Sequence, residues 1–140
     1  NKKDLNFSFS GIKTAISLIV KSQKKINKNF KKDLAASFQN KVIEILIEKI
    51  HRSLNFLKKN DIEVKDITIV GGVAANKAIR KALNNTFASK KYNLAYPLKK
   101  MCGDNAMMIG LACIEKYKKK EKPNYFFKAN PRLEVNENIK

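Results

Sequence analysis

The residues that could do chemistry in this chain gather in two short segments. The first is Ile69-Val70-Gly71-Gly72-Val73-Ala74-Ala75-Asn76, an apolar β-branched run that ends in paired glycines and leads into a helix. Glycines let the backbone turn sharply and approach a ligand closely, and the free N–H groups of a helix start favour an anionic group. The carboxamide of Asn76 both donates and accepts, as contact with a ribose or a base requires. The same residues also suit an ordinary strand-to-helix turn with Asn as a local cap. The second segment is Met101-Cys102-Gly103-Asp104-Asn105-Ala106. Asp104 falls where the chain enters another helix, at the sheet edge where α/β sites assemble. Metal ligand, ribose contact and helix N-cap are all open to this carboxylate, and spacing alone favours the cap.

Little else supports chemistry. His51 is the sole histidine, lies mid-helix beside Arg52, and reads as a surface or satisfied residue rather than a ligand. Cys102 and Cys113 are separated by eleven positions; on a continuous helix they would stand about 16 Å apart, too far for a disulfide. No Cys-x-x-Cys occurs, so a zinc knuckle is excluded. Reduced thiols point to a cytoplasmic address. No Ser/His/Asp grouping and no paired carboxylates flank either segment. As a self-contained enzyme the chain is incomplete.

Composition sets the frame. The 140 residues carry 30 Lys+Arg against 12 Asp+Glu, a formal net charge of +18, with 44% apolar residues. That apolar content excludes a disordered polycation. Only Arg52, Arg80 and Arg132 are arginine, leaving 27 lysines. The excess charge reads either as solvated lysine or as a field that attracts a polyanion such as RNA. No apolar run approaches the roughly 18 residues needed to span a bilayer, so no membrane is expected. Asp4 and the polar residues before Ile16 speak against a secretory leader at the start.

The elements that must position these segments follow from periodicity. Phe7 to Ser10 alternate as a short strand, and Ile12 to about Lys25 form an amphipathic helix. Lys24 to Lys32 read as a polar connection. Asp33 is the expected N-cap of a long helix over 34–58, with a stripe of Leu34, Phe38, Val42, Ile45, Leu46, Ile50, Leu54 and Leu57. Asn60-Asp61 breaks it. Ile67 to Val70 is expected as a buried strand, Ala74 to about Thr86 as a helix, and Asn93 to Tyr96 as a third strand. Asp104 caps a last helix to Lys119, lined by Met107, Met108, Leu111, Ala112, Ile114 and Tyr117. Beyond Lys120 a charged tail is expected over the surface. The alternation argues an α/β fold with parallel pairing.

Five segments then occur in one order: Phe7-Ser-Phe-Ser-Gly-Ile-Lys-Thr14, Asp33-Leu-Ala-Ala-Ser-Phe-Gln39, Gly71-Gly-Val-Ala-Ala-Asn76, Cys102-Gly-Asp-Asn-Ala106 and Ala129-Asn-Pro-Arg132. Together they resemble the carboxy-terminal part of the tRNA N6-adenosine threonylcarbamoyltransferase family, formerly described as O-sialoglycoprotein endopeptidases. The resemblance implies one lobe of the actin/Hsp70/sugar-kinase-like (ribonuclease H-like) fold over residues 1–131, a charged tail over 132–140, and the family's amino-terminal half lying outside this sequence. It implies transfer of a threonylcarbamoyl group from threonylcarbamoyl-AMP to N6 of the adenosine 3′ of certain tRNA anticodons. It assigns Asn76, with room made by Gly71 and Gly72, to the adenylate. It assigns Asp104 to one divalent metal, iron or zinc, whose other ligands are two histidines of a His-x-x-x-His helix that this sequence lacks. Gly103 stands where the family commonly has Thr. Expected partners are tRNA, the amino-terminal half and the family's partner proteins, and the chain alone is expected to be inactive. The alternative is a basic RNA-binding or interaction remnant without catalysis.

Overall fold

The computed structural model describes residues 5, 9–88, 92–123 and 125–126. The chain forms two compact units, residues 1–103 and 104–140. The first holds α1 (Ser10–Ser22), α2 (Lys28–Lys59), β1 (Asp66–Thr68), α3 (Lys77–Phe87) and β2 (Asn93–Ala95), and the second holds α4 (Ala106–Lys118). Single 3-10 turns at Gly72–Ala75 and Lys99–Met101 follow the two strands.

β1 and β2 pair in parallel, Asp66 opposite Asn93, Ile67 opposite Leu94 and Thr68 opposite Ala95. Parallel neighbours need a crossover, and α3 supplies it. The ladder runs one bond further at each end, Asn93 N–H to Lys65 O at 2.8 Å and Ile69 N–H to Ala95 O at 3.0 Å. Alternation turns Ile67, Ile69 and Leu94 toward the core. That core is Val42 of α2 with Ile79, Leu83 and Phe87 of α3, flanked by Ile43, Leu46, Ile47, Ile50 and Leu54. The expected stripe on α2 is thus present, but Ile43 and Ile47 share its core-facing side. His51 is half-buried, its ring 4.7 Å from that of Phe87, which fits a packing role.

Several expectations are corrected. The cap of the long helix is Asn27, not Asp33: its Oδ1 accepts the Phe30 N–H at 2.8 Å. The lysine-rich stretch from Lys28 is therefore the first turns of α2, because lysine is a good helix former whatever its charge. Asp33 sits exposed inside the helix. Ser10 opens α1 and Phe9 is its N-cap residue with φ −103° and ψ 0°, so neither is strand; Phe7 and Ser8 lie outside the described residues. The Ile67–Val70 run is strand only to Thr68, and Val70 is 68% exposed rather than buried. The cap of α4 is Asn105, whose Oδ1 accepts the Met108 N–H at 3.1 Å, and not Asp104. Nor does α4 bury an apolar lining. None of its residues is buried, and Met107, Met108, Leu111, Ile114 and Tyr117 are all more than half exposed. Ala129–Arg132 and nearly all of the expected tail lie outside the described residues.

Candidate functional site

After β1 the chain must leave the sheet, and Gly71 does this with φ +82° and ψ 179°, a region essentially closed to residues with a side chain. The Gly71 carbonyl accepts the Ala74 N–H at 3.0 Å, and the Val73 carbonyl accepts the Asn76 N–H at 3.1 Å. The helix expected from Ala74 is therefore a 3-10 turn, and α3 proper starts only at Lys77. Asn76 is its cap: Oδ1 accepts from Ala78 N–H at 2.9 Å and Ile79 N–H at 3.2 Å. The reading of Asn76 as a local cap is realised. The amide nitrogen is then free to point elsewhere, and it donates to Gln39 Oε1 of α2 at 3.1 Å.

Asn76 and Gly72 line a groove of about 450 Å³ together with Phe9 and Lys13 from α1 and its approach, and Phe38 and Gln39 from α2. Its walls are largely apolar, with Asn76, Gln39 and Lys13 as the polar side chains. Three of the segments singled out in sequence, around Phe9–Lys13, Ala35–Gln39 and Gly72–Asn76, meet there. Gly72 leaves open space where a Cβ would stand.

The sequence reading missed Arg80. Its Nε donates to the Ala74 carbonyl, and Nη2 donates to the Pro97 carbonyl at 2.7 Å and lies 3.5 Å from Cys102 Sγ. The guanidinium also stacks over Tyr96, 4.8 Å from the ring centroid. One side chain thus ties the glycine turn to the loop after β2. Three arginines among 27 lysines were the available signal, since only a planar fork serves several carbonyls at once. Burial holds the Tyr96 phenol above its usual range, and the nearby Arg80 charge pulls the other way. Replacing Arg80 by Met is expected to cost about 2–3 kcal/mol, the loss of charge-assisted bonds to half-buried carbonyls. Lys should recover less than half of that, and urea denaturation of the two variants checks it.

Asp104 belongs to the second unit, exposed and, among the described residues, without a hydrogen bond or ion pair. Among the described residues there is no group of three His, Cys, Asp or Glu placed to hold a metal. The described residues alone do not make up a metal centre. Both cysteines are free thiols, Cys102 buried and Cys113 exposed. No helix among the described residues is long and apolar enough to cross a membrane.

A parallel β–α–β unit with a glycine turn beside an apolar groove defines a small α/β domain. Comparison with known proteins gives it a lineage. The family model described as tRNA N6-adenosine threonylcarbamoyltransferase matches residues 1–111. The enzyme of that name from Rickettsia rickettsii (strain Sheila Smith) is 40% identical over 122 residues, covering 86% of this chain and 36% of its own length. That from Rickettsia bellii (strain OSU 85-389) is 42% identical over 119 residues, covering 84% and 35%. The chain belongs to the tRNA N6-adenosine threonylcarbamoyltransferase family, and it spans about a third of the length of these curated relatives.

Proposed function

We propose that the chain is the carboxy-terminal part of an enzyme that moves the threonylcarbamoyl group from threonylcarbamoyl-AMP to N6 of the adenosine 3′ of the anticodon in tRNA. The observation that carries this reading is the meeting of three family segments, distant in sequence, in one groove. In this reading the first unit is part of a ribonuclease H-like lobe of the actin and sugar-kinase type. Asn76 contacts the adenylate, and Gly71 and Gly72 give the ligand room. Asp104 is one leg of a divalent metal site, iron or zinc, completed by two histidines from the family's amino-terminal half. The work is done in the cytoplasm with tRNA and the family's partner proteins. Alone, the chain is inactive. The test joins it to the amino-terminal part of the Rickettsia bellii relative and measures threonylcarbamoyl adenosine formed per tRNA. Transfer by the joined protein and none by the chain alone is the expected result; no transfer by a folded, metal-loaded joined protein contradicts it.

The charge favours a second reading, a basic RNA-binding piece without catalysis. Six exposed lysines lie between Lys21 and Lys32, with no acidic residue among them. Lysine is a point charge suited to phosphate rather than to base edges. In either reading, tRNA affinity should be mostly electrostatic. If about six phosphates are neutralised, affinity should fall roughly 10³-fold between about 50 and 200 mM salt, and equally for an unrelated RNA of the same length. A preference for tRNA that survives high salt contradicts this.

A further inference from the structure

The hydrogen bonds around Asn76 determine what its carboxamide can offer a ligand. Ala78 and Ile79 present backbone N–H groups, so the side-chain atom facing them must be the oxygen. Two donors occupy both acceptor positions of Oδ1. The nitrogen therefore faces away, and one of its two hydrogens goes to Gln39. Because that partner atom of Asn76 is a donor, the atom Gln39 turns toward it must be its own oxygen. Its Nε2 is left over, with no partner among the described residues. One N–H of Asn76 and two of Gln39 remain, on two residues that line the same groove.

We propose that Gln39 is a second ligand-reading residue of this groove, and that with Asn76 it forms an edge made only of N–H donors. The ligand is then engaged through hydrogen-bond acceptor atoms of its nucleoside, and a group that offers only donors is rejected. This inference rests on the reading of the groove as the adenylate site. The capped α3 and the α2–α3 bridge hold the edge in place before any ligand arrives, so little ordering is lost on binding. Lys13, exposed at the same groove, adds positive charge but is not needed for the donor pattern.

The test uses the whole chain, isotopically labelled, with AMP and uncharged adenosine as probes and the side-chain amide signals as readout. Gln39→Glu keeps the shape and still accepts from Asn76, but has no free N–H. Asn76→Asp still caps α3, since Asp caps as well as Asn, and Gln39 can turn to donate to it; the Asn76 donor is lost, one Gln39 N–H is used in the bridge, and the Gln39 Oε1 replaces a donor on the edge. Each variant is expected to weaken both probes about tenfold, the worth of one net hydrogen bond at the upper end, with an unchanged melting midpoint. The loss with adenosine separates missing donors from charge repulsion of the phosphate. Adenosine binding by Gln39→Glu as tight as that of the unaltered chain, while Asn76→Asp loses it, overturns the role of Gln39 and leaves the adenylate reading standing. No shift of the unaltered chain with either probe overturns the adenylate reading and this inference with it.

Discussion

Phe87→Ala should bring the first unit to within about 2 kcal/mol of its unfolding midpoint at room temperature. Phe87 has no exposed surface, and it and Leu83 are the two large side chains buried to that degree among the described residues. Its ring lies 4.7 Å from His51 of α2 and 6.4 Å from Tyr92, just before β2. It therefore joins the long helix, the crossover helix and the sheet. Truncating a buried Phe to Ala costs about 3–5 kcal/mol, transfer plus cavity. A unit of this size has a total stability of about 5–15 kcal/mol, and a core cluster of four buried side chains among the described residues puts this one at the low end. Phe87→Leu should cost less than half as much, because most of the volume is kept. Phe56→Ala, at a residue 55% exposed, should change stability by no more than about 0.5 kcal/mol. Urea denaturation followed by far-UV circular dichroism gives all three. Equal midpoints for Phe87→Ala and Phe56→Ala would show that α3 does not dock as described.

The parts of this fold legible in sequence are those whose signal is local and repeated. The α2 stripe was readable because Val42, Leu46, Ile50 and Leu54 recur at helical spacing, and the parallel pair because two short β-branched or apolar runs flank a helix. Of the helix caps, the one at Asn76 was among the readings the sequence offered, whereas those expected for α2 and α4 were placed on the wrong residue. Asn27 and Asp33, or Asp104 and Asn105, are both good capping types within one or two turns, and only the backbone angles decide which oxygen meets the orphan N–H groups. The glycine turn was legible as a turn, but not the four-residue 3-10 helix Gly72–Ala75 that delays the start of α3 to Lys77. Gln39 and Arg80 act across 37 and 17 positions, and long-range pairing of polar side chains has no periodicity to betray it. The exposure of α4 was equally hidden. Its sequence resembles that of a core helix, with Met107, Met108, Ile109 and Leu111 close together, yet among the described residues of its unit nothing covers them. In the reading proposed above, this face is where the part of the relatives that the chain does not span would pack.

In the protein joined to the Rickettsia bellii amino-terminal part, Asp104→Ala should lose metal and transfer activity together, while Asn105→Ala keeps both. The ground is the division of labour between these neighbours. Asn105 closes α4 through the Met108 N–H, so its removal should weaken the helix by about 1 kcal/mol. Asp104 does none of that work. Its carboxylate is exposed and, among the described residues, unpaired, and its removal should alter the helix content of the chain alone by nothing measurable. A carboxylate beside a helix start that neither caps nor pairs is available to a ligand, and one carboxylate by itself holds zinc or iron only weakly, because tight sites need three or four converging ligands. The chain alone should thus purify without stoichiometric metal, and the joined protein should carry one ion. Metal content by mass spectrometry, set beside modified adenosine per tRNA, reads both quantities for the unaltered, Asp104→Ala and Asn105→Ala proteins. Full metal occupancy in Asp104→Ala would remove Asp104 from the metal site. Loss of metal in Asn105→Ala as well would show that the site depends on the start of α4 rather than on the carboxylate.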